Sequence, residues 1–279
     1  MVHRTLFKEP WFQGLVFDGL YQALNGTVED QLATEGRVMS ALILQLLDLQ
    51  KSGELFNPGL YDFYAHCQKK MDRTRSQILQ DLWVLYMLKE KTGGFFVEFG
   101  ACDGLSMSNT FLLENDFGWS GILSEPDINW HDALLKNRFC KIDTRCVAEA
   151  SGNKVDFLHV PHEPELSRMK AVVPDDVHER NGNRADVEEF SVETVSLNDL
   201  LQQHSAPAII DYMSIDTEGS EYEILKNFDF SKYSVSLMTI EHAGEEEKRE
   251  KIRALMESQG YTRWRPELSR WDDWYFLAS

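Results

Sequence analysis

The pattern of apolar and polar residues divides the chain into two parts. Upstream of about residue 75, leucines and aromatic residues recur at helical spacing, and the segment 27–51 predicts an amphipathic helix with one leucine-rich face. A further helix is predicted over 76–91, where a pair of glycines follows. We predict an N-terminal helical appendage over 1–75, whose apolar face packs on the core or on a second copy in a homodimer. A separate domain is predicted over 76–279.

Strand and helix patterns alternate downstream of residue 95, which favours a parallel sheet covered by helices. The segment 160–190 is rich in charges and prolines and predicts a loop or lid over the sheet. The charged run 245–251 predicts the solvated face of a helix. The predicted strands cover 95–99, 121–124, 144–147, 155–160, 208–215, 235–240, 261–265 and 274–278.

Charge and cysteine content narrow the class of protein. The 279 residues include 28 Lys plus Arg and 46 Asp plus Glu, a net charge of −18. Such an acidic chain lacks the basic face that binds nucleic acid or anionic membranes, so we expect no nucleic-acid partner. The four cysteines form no C-x-x-C pair, and no signal peptide or transmembrane run is visible. A cytoplasmic protein is therefore the expectation.

Two carboxylates follow consecutive predicted strands. Glu98 lies within the apolar strand that ends in the glycine-bearing turn from Gly100 to Gly104, and Glu125 follows the next strand. We attribute the glycines to close approach of a ligand to the backbone. The missing G-x-G-x-x-G disfavours a dinucleotide, while Glu125 can accept both ribose hydroxyls of a nucleoside. The two carboxylates and the turn between them suit S-adenosylmethionine. The alternative for Glu98 is that it forms a structural ion pair with an Arg or Lys.

A further constellation follows two later strands. Asp216 and Glu218 come after the strand at 208–215, and Glu241 and His242 come after the strand at 235–240. In open α/β sheets, ligands bind at such carboxyl ends. If the two strands are neighbours, a carboxylate would raise the basicity of the imidazole and make His242 a general base.

These residues together resemble the FkbM-type class I S-adenosylmethionine-dependent methyltransferases. The resemblance covers about 76–276 and implies a Rossmann-like, seven-stranded, mostly parallel sheet with an antiparallel C-terminal strand pair. It also implies O-methylation, commonly of a sugar hydroxyl of a glycan or of a metabolite. The matching blocks are FVEFGACDG at 96–104, SNT at 108–110, GILSEP at 121–126, SIDTEGSE at 214–221 and IEH at 240–242.

The resemblance also implies where the cofactor binds. The methionine part would lie within the first block, the ribose at Glu125, and the adenine near Pro126. The chain departs from the common pattern at Cys102, where Asn is frequent, and at Ser214, where Lys is frequent. The implied cofactor-binding residues are Glu98, Gly100, Ala101, Cys102, Asp103, Gly104, Ser108, Asn109, Glu125, Pro126, Val147, Ala148 and Asp216.

Several mechanisms stay open on the sequence alone. One makes His242 the base, oriented by Asp216, Glu218 and Glu241. A rival makes Asp216, Glu241 and His242 ligands of Mg²⁺ or Mn²⁺ that would lower the pKa of a hydroxyl, including a hydroxyl on a molecule other than a sugar. A third alternative is a non-catalytic binding module with the same fold, and a weaker one is a nicotinamide-dependent reductase.

Overall fold

A computed structural model describes residues 58–278 of the protein. These residues divide into two compact units, one containing 58–92 and 106–117 and the other 93–105 and 118–278. The helix predicted over 27–51 and most of the predicted appendage lie outside the described residues.

The first unit contains three helices, α1 (Pro58–Gln68), α2 (Gln80–Met87) and α3 (Phe111–Phe117). Helix α2 occupies the middle of the segment 76–91, so this predicted helix is confirmed with shorter bounds. The residues before α2 wrap around the fully buried Asp81, whose carboxylate accepts hydrogen bonds from the hydroxyls of Thr74 and Ser76 at 2.6 Å. Burial raises the pKa of Asp81.

The second unit contains the strands and the remaining helices. Its helices are α4 (His131–Asn137), α5 (Val177–Asn181), α6 (Leu197–Gln203), α7 (Glu221–Lys226) and α8 (Glu246–Ser258). Its strands are β1 (Phe95–Phe99), β2 (Ser120–Ser124), β3 (Lys141–Asp143), β4 (Cys146–Ala148), β5 (Lys154–His159), β6 (Arg168–Met169), β7 (Glu188–Ser196), β8 (Ile209–Ile215), β9 (Ser234–Glu241), β10 (Tyr261–Trp264) and β11 (Asp272–Leu277).

Seven strands form the main sheet, in the order β10-β11-β9-β8-β1-β2-β3. Neighbours are parallel except for β11, which is antiparallel to β9 and to β10. This confirms the predicted α/β fold of class I methyltransferases with an antiparallel C-terminal pair. The central strands are buried over most of their length, and Val97, Met213 and Met238 join Ile252 and Met256 of α8 in one apolar core. Burial of both sheet faces is what makes these strands continuous apolar runs.

A second sheet has the order β4-β7-β5-β6 and holds most of what the sequence analysis missed. The strand predicted over 144–147 overlaps only β4 of this sheet, and β3 of the main sheet, which ends at Asp143, was not predicted. The loop predicted over 160–190 is wrong in part, because it contains β6 and α5 and the start of β7. Strand β7 escaped prediction because its first six residues are exposed or half-buried, so their side chains are mostly polar.

No helix among residues 58–278 is both long enough and apolar enough to cross a membrane.

Candidate active site

The sheet order brings three of the predicted site segments into one row. Strands β8, β1 and β2 are parallel neighbours, and the register pairs Ile215 with Phe99 and Phe99 with Ser124. The residues that follow these strand ends are Asp216, Gly100 and Glu125. Adjacent strands are about 4.8 Å apart, so the row spans the carboxyl edge of the sheet, where open α/β proteins bind ligands.

The glycines of the turn after β1 are required by protein packing. Gly100 has a φ of +71°, and a Cβ there would overlap the carbonyl oxygen of Asp216 on the neighbouring strand. Gly104 has a φ of +74°, and its Cβ would collide with Arg138 and Leu134. Protein atoms therefore account for both glycines, and the explanation by ligand approach is not needed.

Glu98 is buried beside a cation. Its Oε2 lies 3.6 Å from Nη1 of Arg138, which also donates a hydrogen bond of 3.1 Å to the carbonyl oxygen of Gly104. Both side chains are almost fully buried. The ion pair weighed as the alternative for Glu98 is thus present, and it ties β1 to the end of α4.

Glu125 is a buried acceptor held by the backbone. Its Oε2 accepts a hydrogen bond from the N–H of Cys102, and its Oε1 accepts one from the N–H of Asp127, both at 2.8 Å. Burial raises the pKa of Glu125 to about 7. Each carboxylate oxygen can accept a second hydrogen bond. The side chain therefore fits the two hydroxyls of a ribose.

The other predicted cofactor-binding residues lie in the turn after β1, in the segment before α3, directly after Glu125 and in β4. Cys102 has a φ of +47°, and burial raises the pKa of its thiol. Asp103 accepts from the N–H of Leu105. Ser108 accepts from the N–H of Phe111 at the start of α3 and, like Asn109, belongs to the first unit. Ala101, Val147 and Ala148 are buried, and Pro126 is half-buried.

The ends of β8 and β9 carry a cluster of carboxylates. These strands are parallel neighbours, the condition on which the prediction for Asp216 and Glu241 depended, and a carboxylate oxygen of each side chain lies within 4.8 Å of the other. Burial raises the pKa of Asp216, and Glu218 and Asp272 raise it further. Burial followed by Asp216 raises the pKa of Glu241. Two carboxyls this close cannot both ionise easily, so each raises the pKa of the other.

Glu221 completes this cluster, and the sequence analysis did not assign it a role. Its Oε1 accepts from Thr217 and from the N–H of Gly219, each at 2.9 Å. Its Oε2 lies 3.4 Å from Nζ of Lys248. The Lys248 side chain is only 12% exposed, so it does not lie on the solvated face predicted for the run 245–251. Burial alone would lower the pKa of Lys248, but Glu221, Glu241 and Glu245 raise it.

A divalent ion fits these carboxylates. Asp216, Glu221 and Glu241 each offer one oxygen, and the three atoms lie within 4.8 Å of one another. Hard oxygen ligands suit Mg²⁺ or Mn²⁺. His242, which the rival mechanism included, is not in this group.

Glu218 interacts with the second sheet region. Its carboxylate pairs with Arg184, and Arg184 also donates two hydrogen bonds of 2.8 and 2.9 Å to Asp176. Burial raises the pKa of Glu218, with Glu241 as the next cause. The segment predicted as a lid therefore contacts the acid cluster through a buried arginine.

His242 follows the last residue of β9 and is not among the residues whose ligand atoms converge. Its Nδ1 accepts from the N–H of Gly244, and its Nε2 is 4.0 Å from Asp273. Burial lowers its pKa to about 4, although Asp273 acts in the opposite direction. The expectation of raised basicity is wrong, because desolvation outweighs the carboxylate.

The sheet topology and the carboxylates at the strand ends define a class I methyltransferase. The Methyltransferase FkbM domain matches residues 98–263, well over half of the chain. This protein belongs to the FkbM methyltransferase family and is a methyltransferase that uses S-adenosylmethionine. A search of curated proteins found no match.

Solved structures give more distant similarities. Protein PH1948 from Pyrococcus horikoshii is 15% identical, with a TM-score of 0.35, over 67% of this chain and 69% of its own. The human methyltransferase 10 domain containing protein is 13% identical, with a TM-score of 0.35, over 70% and 78%. The N-terminal domain of human METTL16, in complex with SAH, is 14% identical, with a TM-score of 0.37, over 80% and 84%.

Proposed function

We propose that this protein methylates a hydroxyl group, specifically a sugar hydroxyl of a glycan or glycosylated metabolite. The observation that carries the proposal is the convergence of Asp216 and Glu241 at the ends of β8 and β9, where their carboxylate oxygens lie within 4.8 Å of each other and the pKa of each is raised. A hydroxyl must lose its proton when it is methylated, and a carboxylate with a raised pKa is a better base than an ordinary one.

The cofactor residues follow from the row of strand ends. S-adenosylmethionine, when bound, supplies a methyl group on a sulfonium sulfur. Glu125 is positioned to accept the ribose hydroxyls with the oxygen lone pairs that its two backbone hydrogen bonds leave over. Since Asp216 lies two strands away from Glu125, the methyl end of the ligand would face the acid cluster.

The acid cluster would serve the acceptor. Asp216 and Glu241 take the hydroxyl proton between them, in the role that the sequence analysis gave to His242. Glu218 and Glu221 keep the pKa of this pair raised. Arg184 holds Glu218 in place, and Lys248 holds Glu221. Sugar hydroxyls donate well to carboxylates, whereas a phosphate-bearing acceptor would be repelled, so we propose no nucleic-acid substrate.

A metal-dependent reaction is the second candidate, because the oxygens of Asp216, Glu221 and Glu241 converge. Mg²⁺ or Mn²⁺ there would lower the pKa of a bound hydroxyl, on a sugar or on another acceptor. Lys248 already supplies a positive charge to the same carboxylates, which favours the reaction without a metal. Cytoplasmic location and a homodimer through the N-terminal segment remain predictions.

The test is transfer of a radiolabelled methyl group to a panel of mono- and oligosaccharides, phenolic hydroxyl compounds and RNA, with EDTA or with added Mn²⁺. We expect the labelled methyl group in sugars, linked through an ether bond that is stable to alkali. The amount of label should not fall when EDTA is added. Label in RNA or phenols alone would contradict the sugar assignment, and loss with EDTA would establish the metal. A folded protein that binds no S-adenosylhomocysteine and labels no acceptor would favour the non-catalytic module.

A further inference from the structure

A buried aspartate and histidine lie directly beside Glu125 and have no part in the proposed chemistry. The backbone N–H of Asp127 donates to Oε1 of Glu125 at 2.8 Å. Oδ2 of Asp127 lies 2.6 Å from Nδ1 of His159, the last residue of β5. Asp127 is 0% exposed and His159 is 7% exposed. Neither residue was singled out from the sequence, because their pairing crosses two sheets.

The hydrogen bonds of this pair determine which ring nitrogen carries the proton. Oδ1 of Asp127 accepts from the backbone N–H and the side-chain amide of Asn129, at 3.0 and 2.9 Å. A carboxylate that accepts at both oxygens makes Nδ1 of His159 the donor. In the neutral ring, Nε2 then has a free lone pair and is a hydrogen-bond acceptor.

No residue between 58 and 278 bonds to this acceptor. Nδ1 makes the only side-chain hydrogen bond of His159 within that range. Nε2 is absent from the fully buried polar atoms that lack a partner, so the 9% of the side chain that is exposed includes this nitrogen. A rigidly oriented, accessible acceptor therefore lies two hydrogen bonds away from the carboxylate of Glu125.

The sheet order indicates which part of the ligand would reach His159. Asp216, Gly100 and Glu125 follow β8, β1 and β2, and β3 is the next strand. A nucleoside with its methyl end at Asp216 and its ribose at Glu125 extends its base toward β3. The second sheet begins on this side, since β4 starts three residues after β3 ends. His159 belongs to that sheet.

We propose that Nε2 of His159 accepts a hydrogen bond from the exocyclic amine of the cofactor's adenine, and that Asp127 is the positioning residue that selects the tautomer. The inference rests on the proposed cofactor site at Glu125. An acceptor held in this way favours an amino group and disfavours a carbonyl at the same position of the base. The pair thus makes the site selective for adenosyl over inosyl ligands.

Calorimetric titration with S-adenosylhomocysteine and S-inosylhomocysteine tests the selectivity. The inosyl compound has a carbonyl oxygen in place of the amine. We expect the wild-type protein to bind the adenosyl ligand at least about tenfold more tightly. H159F, which keeps a ring but removes the acceptor, should lose most of this preference, whereas H159Q, which keeps an acceptor, should retain part of it. The exposed neighbour His162 provides the control H162A, which should match the wild type.

The wild-type ratio alone can overturn the inference, so it does not depend on whether a variant folds. Equal affinities for the two ligands would contradict the role of His159 and leave the cofactor site intact. Equal weakening of both ligands in H159F would show a purely structural role and also contradict it. Failure of the folded wild-type protein to bind S-adenosylhomocysteine would refute the proposed function itself, and with it this inference.

Discussion

The two ends of the candidate site bury carboxylates in different ways. Glu125 is a single acid, and backbone N–H groups satisfy both of its oxygens. Asp216, Glu221 and Glu241 crowd together, with the ammonium of Lys248 beside them. Fixed backbone donors suit a group that only has to accept hydrogen bonds from a ligand. Crowded acids raise one another's pKa and share a proton, which suits a group that has to accept one during a reaction.

Removing the proton acceptor should have the largest effect, because it disables the crowded end of the site and leaves the cofactor end intact. In Glu241→Gln the side chain keeps its shape but cannot take the proton, so we expect methyl transfer to fall by about 10² to 10⁴. Affinity for S-adenosylhomocysteine should stay within about twofold. Steady-state kinetics and calorimetry measure the two effects. The exposed Glu223 provides the control Glu223→Gln, and unchanged turnover in Glu241→Gln would show that the base lies elsewhere.

The free energy of unfolding tests whether the positive charge of Lys248 stabilises the crowded carboxylates. Lys248→Met leaves the buried carboxylate of Glu221 without its cation, so we expect the free energy of unfolding to fall by about 3 kcal/mol. Urea denaturation measures this loss. The double variant Lys248→Met with Glu221→Gln removes both charges and should recover part of it. If the double variant is no more stable than the single one, the two side chains are not energetically coupled.

Glu125, the single acid at the other end of the site, should affect binding of the cofactor and not the methyl-transfer step. Glu125→Ala removes the acceptor for the ribose hydroxyls, and we expect affinity for S-adenosylhomocysteine to fall by about 10- to 100-fold. At saturating cofactor, turnover should approach that of the wild type. Equilibrium binding and kinetics at high cofactor concentration separate the two quantities. Lost turnover with intact affinity would reverse the assigned roles of the two ends.

A smaller effect is expected from pH, because the ionisation of Glu125 should change the affinity for S-adenosylhomocysteine. The pKa of Glu125 is raised by burial to about 7, so the carboxylate is mostly protonated at pH 6 and mostly ionised at pH 8. If only the ionised form accepts both hydroxyls, affinity for S-adenosylhomocysteine should rise by up to about tenfold over this range. Titrations at both pH values measure it. Glu125→Gln should show a flat profile, and a wild-type affinity that falls with pH would contradict the assignment.

Glu125 also makes stability depend on pH. Its pKa is higher in the folded protein than in the unfolded chain, so its contribution is greatest below about pH 4.5. That contribution is lost as pH rises to about 7, because the folded protein must then bury a charge.

The sequence was informative where a continuous apolar run predicted a strand and a candidate site residue lay at the end of that run. The apolar runs of β1, β2, β8 and β9 were predicted close to their observed bounds, and a residue of the candidate site lies at the end of each strand or directly after it. The second sheet was harder to predict, because β7 is half-exposed and its partners are distant in sequence. His242 was misjudged because its basicity depends on burial, which no spacing reveals.

The positions of the strand ends and their carboxylates along the chain could be deduced from local patterns, since a buried parallel strand needs continuous apolar residues and ends where polar ones begin. The sequence by itself therefore determined the fold class and the family, and it placed Asp216 and Glu241 each at a strand end. Only the tertiary structure revealed Lys248 beside Glu221, Arg184 at Glu218 and His159 on Asp127. Each of these contacts joins separate elements, and the pKa of a buried group depends on such neighbours in space.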